Sequence, residues 1–226
     1  MDELRPHNVI YEEAQFATPE GYTKAMTGIY GLVAGWTFPP VGGMTYTDML
    51  VYLSDAKGNT MKSLDDQINE KTDAFDYVNS GSRDFSYSYH FWRGSYNIML
   101  HINKLLANVE EGESNETILQ AKAEALFMRA LTYFNLVRLY GKPYDQNPQQ
   151  SLGVMLVLTD DVGSSFAPER ASVAEVYAQI VADLEAAIPL FSQQKTNSYA
   201  SEQAAYALLS RVYLYMGGTS EFPTFK

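Results

Sequence analysis

Between Ala121 and Tyr144 the chain runs AKAEALFMRALTYFNLVRLYGKPY, and no other stretch restricts the fold as much. Leu126, Phe127, Leu131, Phe134, Val137 and Leu139 recur at three- and four-residue steps, the period of an α-helix. Tyr133, Leu136 and Tyr140 widen that stripe until little of the last two turns is polar, so neighbours must cover the helix on several sides. Gly141 suits a left-handed cap and Pro143 forbids another turn, while the spacing of Thr117 and Gln120 matches a capping box at the start. A helix over about 117–140 follows, central to an all-helical core.

The remaining elements arrange themselves around it. Thr18, Pro19 and Glu20 form a cap, a first turn and a dipole complement for a helix over about 18–33. Phe91, Tyr96, Met99, Leu100, Asn103 and Leu106 repeat along a second helix, about 84–109. Ser172 and Glu175 are spaced as a capping box for a helix over about 173–190, with Val176, Ile180, Leu184 and Ile188 on one face. Ser201 caps a last helix, about 201–216, which Gly217 and Gly218 close. Two stretches, about 35–82 and 141–171, read as irregular loop insertions; Pro39-Pro40 and Gly42-Gly43 break the first, and Gly153 to Leu158 in the second is either a strand or buried loop.

Two helices echo each other. Ala123, Ala125, Leu126, Arg129 and Tyr133 recur in order as Ala205, Ala207, Leu208, Arg211 and Tyr215. Small alanines admit a neighbouring helix while large residues interlock, as in stacked tetratricopeptide-type pairs. The echo is much wider than the ~34 residues of a regular array, so the repeats are separated by insertions. The fold class is therefore mainly α, with tetratricopeptide-like helix pairs and long irregular loops.

Composition narrows the chemistry. The 226 residues carry 27 acidic against 16 basic side chains, a net charge of −11 that disfavours a nucleic-acid partner. With no cysteine, thiol catalysis, disulfides and cysteine-bearing zinc sites are excluded. No run of residues is long and apolar enough for a membrane-spanning helix, and MDELRPHNVI lacks the apolar core of a signal peptide. His7, His90 and His101 are too scattered for a metal site. Asp65-Asp66 and Asp160-Asp161 pair carboxylates only in sequence, and no nucleophile elbow, phosphate loop or dinucleotide fingerprint occurs. No catalytic residue, metal or cofactor is assigned. Asn115-Glu116-Thr117 matches a glycosylation sequon, although a helix cap accounts for Thr117 as well.

The first loop holds the residue types that bind sugars: aromatic faces for the apolar side of a ring, planar polar groups for its hydroxyls. Trp36, Tyr46, Asp48, Tyr52, Asp76, Tyr77 and Arg83 are the candidate ligand-binding residues. The competing reading is that these aromatics pin the loop to the helices.

Ala123, Glu124, Ala125, Phe127, Arg129, Ala130, Tyr133, Phe134, Leu136, Arg138, Tyr140, Gly141 and Pro143 together resemble the signature helix of the SusD-like (SusD/RagB) family, outer-membrane nutrient-binding lipoproteins. Trp92, Tyr96 and Asn103 are similar to a second family helix, although Ile98 falls one residue early for that pattern. The blocks Arg170 to Ala187 and Ala204 to Gly217 also look like the family, so the resemblance is weakest over 35–82. It implies one SusD-like helical domain over 1–226, the N-terminal part of a longer architecture. It also implies a non-catalytic protein, lipid-anchored and exposed at the outer-membrane surface, that passes a glycan or, less favoured, a peptide to a SusC-like TonB-dependent transporter. The lipid-bearing cysteine and signal it implies are not in this chain, which points to a processed or recombinant segment. An intracellular tetratricopeptide-type adaptor for peptides is the alternative, followed by a glycan hydrolase using carboxylates such as Asp48 or Asp76.

Overall fold

The structure, a computed structural model, describes residues 12–34, 50, 51, 55, 87–163 and 166–217. The elements run α1 (Glu12–Gln15), α2 (Pro19–Val33), α3 (Tyr87–Ala107), α4 (Glu116–Tyr140), β1 (Leu152–Met155), β2 (Arg170–Ser172), α5 (Val173–Ala187), a 3-10 turn (Ile188–Leu190) and α6 (Glu202–Tyr215). The molecule is mainly helical, and residues 50, 51 and 55 are helical within the stretch read as loop.

α4 is the axis. Its buried residues lie on every side, from Ile118 to Val137, and it packs against α2, α3, α5 and α6 as well as β1. Tyr133, Phe134 and Leu136 are wholly buried with Phe91, Ile98, Met99 and Ile102 of α3, Ile29 of α2, and Ile180 and Leu184 of α5. Burial of each such side chain contributes about 1.5–3 kcal/mol before entropy is subtracted. An apolar surface right round the helix is what the widened stripe requires.

Its two ends differ from expectation. Asn115 is the N-cap, its Oδ1 accepting from the N–H groups of Thr117 and Ile118 at 3.0 and 3.3 Å. Gln120 is drawn inward instead: its Nε2 donates to Glu124, and its Oε1 accepts from the N–H groups of Ser192 and Gln193, each at 3.0 Å. Tertiary partners outbid the local box. At the other end Gly141 is extended (φ −96, ψ 169) rather than left-handed. A Cβ there would lie 2.7 Å from the Val137 carbonyl oxygen and 3.1 Å from Val137 Cγ2, so close approach, not handedness, requires glycine.

The other caps form where the sequence places them. Thr18 accepts from Gly21 N–H at the start of α2, and Ser201 from Ala204 N–H at the start of α6. Ser172 and Glu175 close their box reciprocally, with the Ser172 N–H to Glu175 Oε2 at 2.7 Å and the Glu175 N–H to Ser172 Oγ at 3.2 Å. Gly217 adopts φ +87 after α6, a conformation glycine reaches without strain.

The run from Gly153 to Leu158 is strand only as far as Met155 and loop beyond it. β1 pairs antiparallel with β2, Leu152 opposite Ser172 and Met155 opposite Arg170, with an irregularity between. The second insertion is therefore partly a ribbon, laid against α4 and α5.

Buried polar groups fasten the bundle. Arg129 spans α4 to α5 through two bonds to Asp183, Nε to Oδ2 at 2.8 Å and Nη2 to Oδ1 at 2.6 Å, and its Nη1 donates to Asn103 Oδ1 of α3 at 3.1 Å. Asn103 Nδ2 in turn donates to the carbonyls of Val157 and Thr159. The Tyr133 hydroxyl both donates to Val157 O (2.9 Å) and accepts from Val157 N–H (2.8 Å), so the segment after β1 is held by two helices. Elsewhere Glu124, fully buried, accepts from Tyr30, Gln120 and Lys195. The Tyr30 hydroxyl also accepts from the Ala200 N–H at 3.0 Å, joining α2 to the strap before α6.

The internal echo extends to environment only in part, since Ala205 and Leu208 are buried like Ala123 and Leu126. Arg129 and Tyr133 are buried, whereas Arg211 is exposed and Tyr215 is 45% exposed. Tyr215 packs edge-on to Phe134 at 5.2 Å, and the Arg138 guanidinium lies 5.0 Å from its ring centroid.

Candidate functional site

Trp36, Tyr46, Asp48, Tyr52, Asp76, Tyr77 and Arg83, the sugar-binding candidates of the first loop, lie outside the described residues, as do Asp65-Asp66. Among the described residues no group of three or more His, Asp or Glu side chains could hold a metal ion, and no helix is long and apolar enough to cross a membrane. Asp160 and Asp161 sit in a turn, where Asp161 N–H bonds Thr159 Oγ1 and Val162 N–H bonds the Asp160 carbonyl.

What the described scaffold presents is surface relief. A hollow of about 670 Å³ opens between α2 and α3, with α1 at one end. Phe16, Ala25, Ile29 and Leu32 give it apolar walls, and Asn97, His101 and Lys104 stand along α3. Glu12 closes one end through its ion pair with Lys104 at 2.6 Å and a bond from Asn108 at 2.9 Å. The Lys104 and Asn108 hydrogen bonds hold the Glu12 carboxyl below the usual carboxylate range. Partial burial, with the Lys104 ammonium nearby, pushes His101 down, so its neutral ring offers one donor and one acceptor. The combination of apolar surface and neutral hydrogen-bonding groups can seat a polyhydroxylated ligand.

A second hollow, about 600 Å³, lies where α4 ends and β1 begins. Tyr140, Lys142, Gln146, Gln150, Leu152 and Arg170 line it, with the backbone of the 141–151 loop between them. Trp92 stands against Tyr140 edge-on at 4.9 Å and tilts over Tyr96 at 5.0 Å. Tyr96 donates to the Met155 carbonyl, and burial pushes its hydroxyl well above the ordinary phenol range, so it remains a neutral donor. Sequence reasoning assigned Trp92 and Tyr96 to a helix pattern and passed over the polar loop beside them. Its amides, Gln146, Asn147, Gln149 and Gln150, were a compositional signal that could have marked it.

Residues 42–214 match the SusD-like family described as "Starch-binding associating with outer membrane", a description that names binding and no reaction. SusD-like protein P2 of Formosa agariphila is 32% identical over 130 residues, which covers 56% of this chain and 24% of that one. A SusD superfamily protein of known structure from Bacteroides thetaiotaomicron is 28% identical with a TM-score of 0.70, covering 89% of this chain and 43% of that one. A SusD-like carbohydrate binding protein from Bacteroides vulgatus has a TM-score of 0.75 at 21% identity, which is a likeness of fold; it covers 89% of this chain and 42% of that one. The chain thus spans less than half the length of these relatives. A match over most of its residues, on a helical scaffold shared with these structures, shows that the chain belongs to the SusD-like family.

Proposed function

We propose that this chain is the helical part of a non-catalytic glycan-binding protein of the bacterial outer membrane. The observation that carries the reading is the family match over residues 42–214, with its description of starch binding and outer-membrane association. The scaffold supports it physically. A core braced by buried ion pairs and side-chain to backbone bonds can hold loops in place without reacting with what they bind.

In this reading Trp36, Tyr46, Asp48, Tyr52, Asp76, Tyr77 and Arg83 take the sugar, aromatic rings against its apolar face and polar groups on its hydroxyls. The protein is surface-exposed through an N-terminal lipid and delivers its ligand to a SusC-like TonB-dependent transporter. One domain, 1–226, carries this role within a longer architecture.

Affinity electrophoresis in gels cast with starch and other glucans tests the ligand part. Wild type should be retarded and Trp36→Ala should not, at equal helicity by circular dichroism. Equal retardation of both would remove Trp36 as a platform. Co-purification of the intact protein with the transporter encoded beside it tests delivery, and failure to associate would sink that step.

A further inference from the structure

The hollow at the end of α4 stands apart from the charge of the whole molecule. On a chain with 27 acidic and 16 basic residues, it is lined by Lys142 and Arg170 and, among the described residues, by no carboxylate. Asp145 and Glu169 are neighbours in sequence but are not among the lining residues. Neither Lys142 nor Arg170 has an ion-pair partner among the described residues. Arg170 is aimed by two carbonyls, Nε to Gly153 O at 2.7 Å and Nη2 to Tyr140 O at 2.8 Å. That leaves its Nη1 unused among the described residues.

The loop carrying the amides is braced before any ligand arrives. Ser151 N–H bonds the Asn147 carbonyl at 2.9 Å and Ser151 Oγ bonds the Gln146 carbonyl at 2.7 Å. Ala174 N–H reaches back to the Pro148 carbonyl at 3.0 Å. Asn147 takes φ 59 and donates from its side chain to Gln150 Oε1 at 2.9 Å. Asn is among the few residues that tolerate this left-handed backbone. Leu152, 60% exposed, and the Tyr140 ring add apolar surface beside these amides. Carboxamides, an aromatic ring and an apolar patch are the groups that meet sugar hydroxyls and C–H faces. Two cations with no ion-pair partner among the described residues favour a ligand that carries negative charge.

We propose that this hollow is a binding subsite for an acidic sugar unit, its oxyanion (a carboxylate or a sulfate ester) received by Lys142 and Arg170 and its hydroxyls by Gln146 and Gln150. It rests on the glycan-binding reading above and is separate from the first-loop residues. The occupant is a charged glycan rather than a neutral glucan.

Isothermal titration of the 226-residue chain with oligogalacturonates, sulfated carrageenan oligosaccharides and neutral maltooligosaccharides tests it. At least one acidic series should bind more tightly than the neutral one, and should weaken as salt rises from about 0.05 to about 0.5 M. A preference for the galacturonates assigns a carboxylate, and one for the carrageenans a sulfate. Lys142→Gln, on an exposed side chain, should weaken the acidic series about three- to fivefold and leave the neutral series unchanged. Gln146→Ala with Gln150→Ala is a second variant that leaves both cations in place, and should weaken the acidic series as well. Acidic binding indifferent to both variants overturns the subsite, as does binding of the neutral series alone, which leaves the glycan reading standing. No binding to any series brings down both.

Discussion

Arg129 meets Asp183 with two charge-assisted bonds inside the bundle, their side chains 11% and 3% exposed. Removing one partner strands the other charge away from water, so Asp183→Asn should destabilise the fold by about 3–5 kcal/mol. Replacing both, Arg129→Met with Asp183→Leu, should cost much less. Urea midpoints of the singles and the double decide it; a double as unstable as the sum of the singles would show the pair to be uncoupled. The tyrosines offer a pH counterpart. Burial pushes the hydroxyls of Tyr133 and Tyr177 up to about 12. A phenol raised in this way stabilises the fold fully below its unfolded value of about 10, and that stability is lost as pH climbs through 10 toward 12. Absorbance at 295 nm should therefore show exposed tyrosines ionising first, with the last phenolates appearing only as helical circular dichroism collapses. All 17 tyrosines titrating near pH 10 on an intact fold would contradict this.

Among the elements, glycines of one helix separate two effects. A Cβ on Gly28 would meet nothing within 4 Å, whereas one on Gly21 would sit 1.6 Å from the Gln15 carbonyl oxygen. Gly28→Ala should stabilise the protein by about 0.5–1 kcal/mol through helix propensity. Gly21→Ala should destabilise it by at least about 1–3 kcal/mol through overpacking. Thermal melts of the two should move in opposite directions, and a stabilised Gly21→Ala would refute the close approach of α1 to α2. Ser172→Ala should cost about 1 kcal/mol by opening the cap of α5, with the same readout. Such caps were legible in the sequence because their partners lie within three residues. Gln120 had the right spacing but was misleading, since the N–H groups of Ser192 and Gln193, far along the chain, compete for its side chain. Gly141 misled in the same way: its neighbour Val137, not its handedness, excludes a side chain. The strand at Leu152 could not be told from buried loop because its partner, β2, lies across an insertion.

On the scale of the whole molecule, the helical periods of α3 to α6 were enough to name the class and, with the α4 signature, the family. The ligand surface was less legible. Binding loops are selected for what they meet outside the chain, so no period or cap spacing could test the proposed ligand residues Trp36 through Arg83, which lie outside the described residues. The polar hollow beside Tyr140 is assembled from the end of α4, a loop and β2, which only folding brings together.

The contact between Tyr30 and Ala200 has a consequence in time. It closes a span of 170 residues, and Lys195, which neutralises Glu124 next to it, belongs to the same late strap. At about 5–20 residues per second of synthesis, α2 waits on the order of ten seconds or more for these partners. Until then Glu124 has no ammonium to face, and the α2–α4 seam can open. The first long helix among the described residues is thus locked only after the strap is made, and a nascent chain halted before the strap is the form a protease or a chaperone would meet.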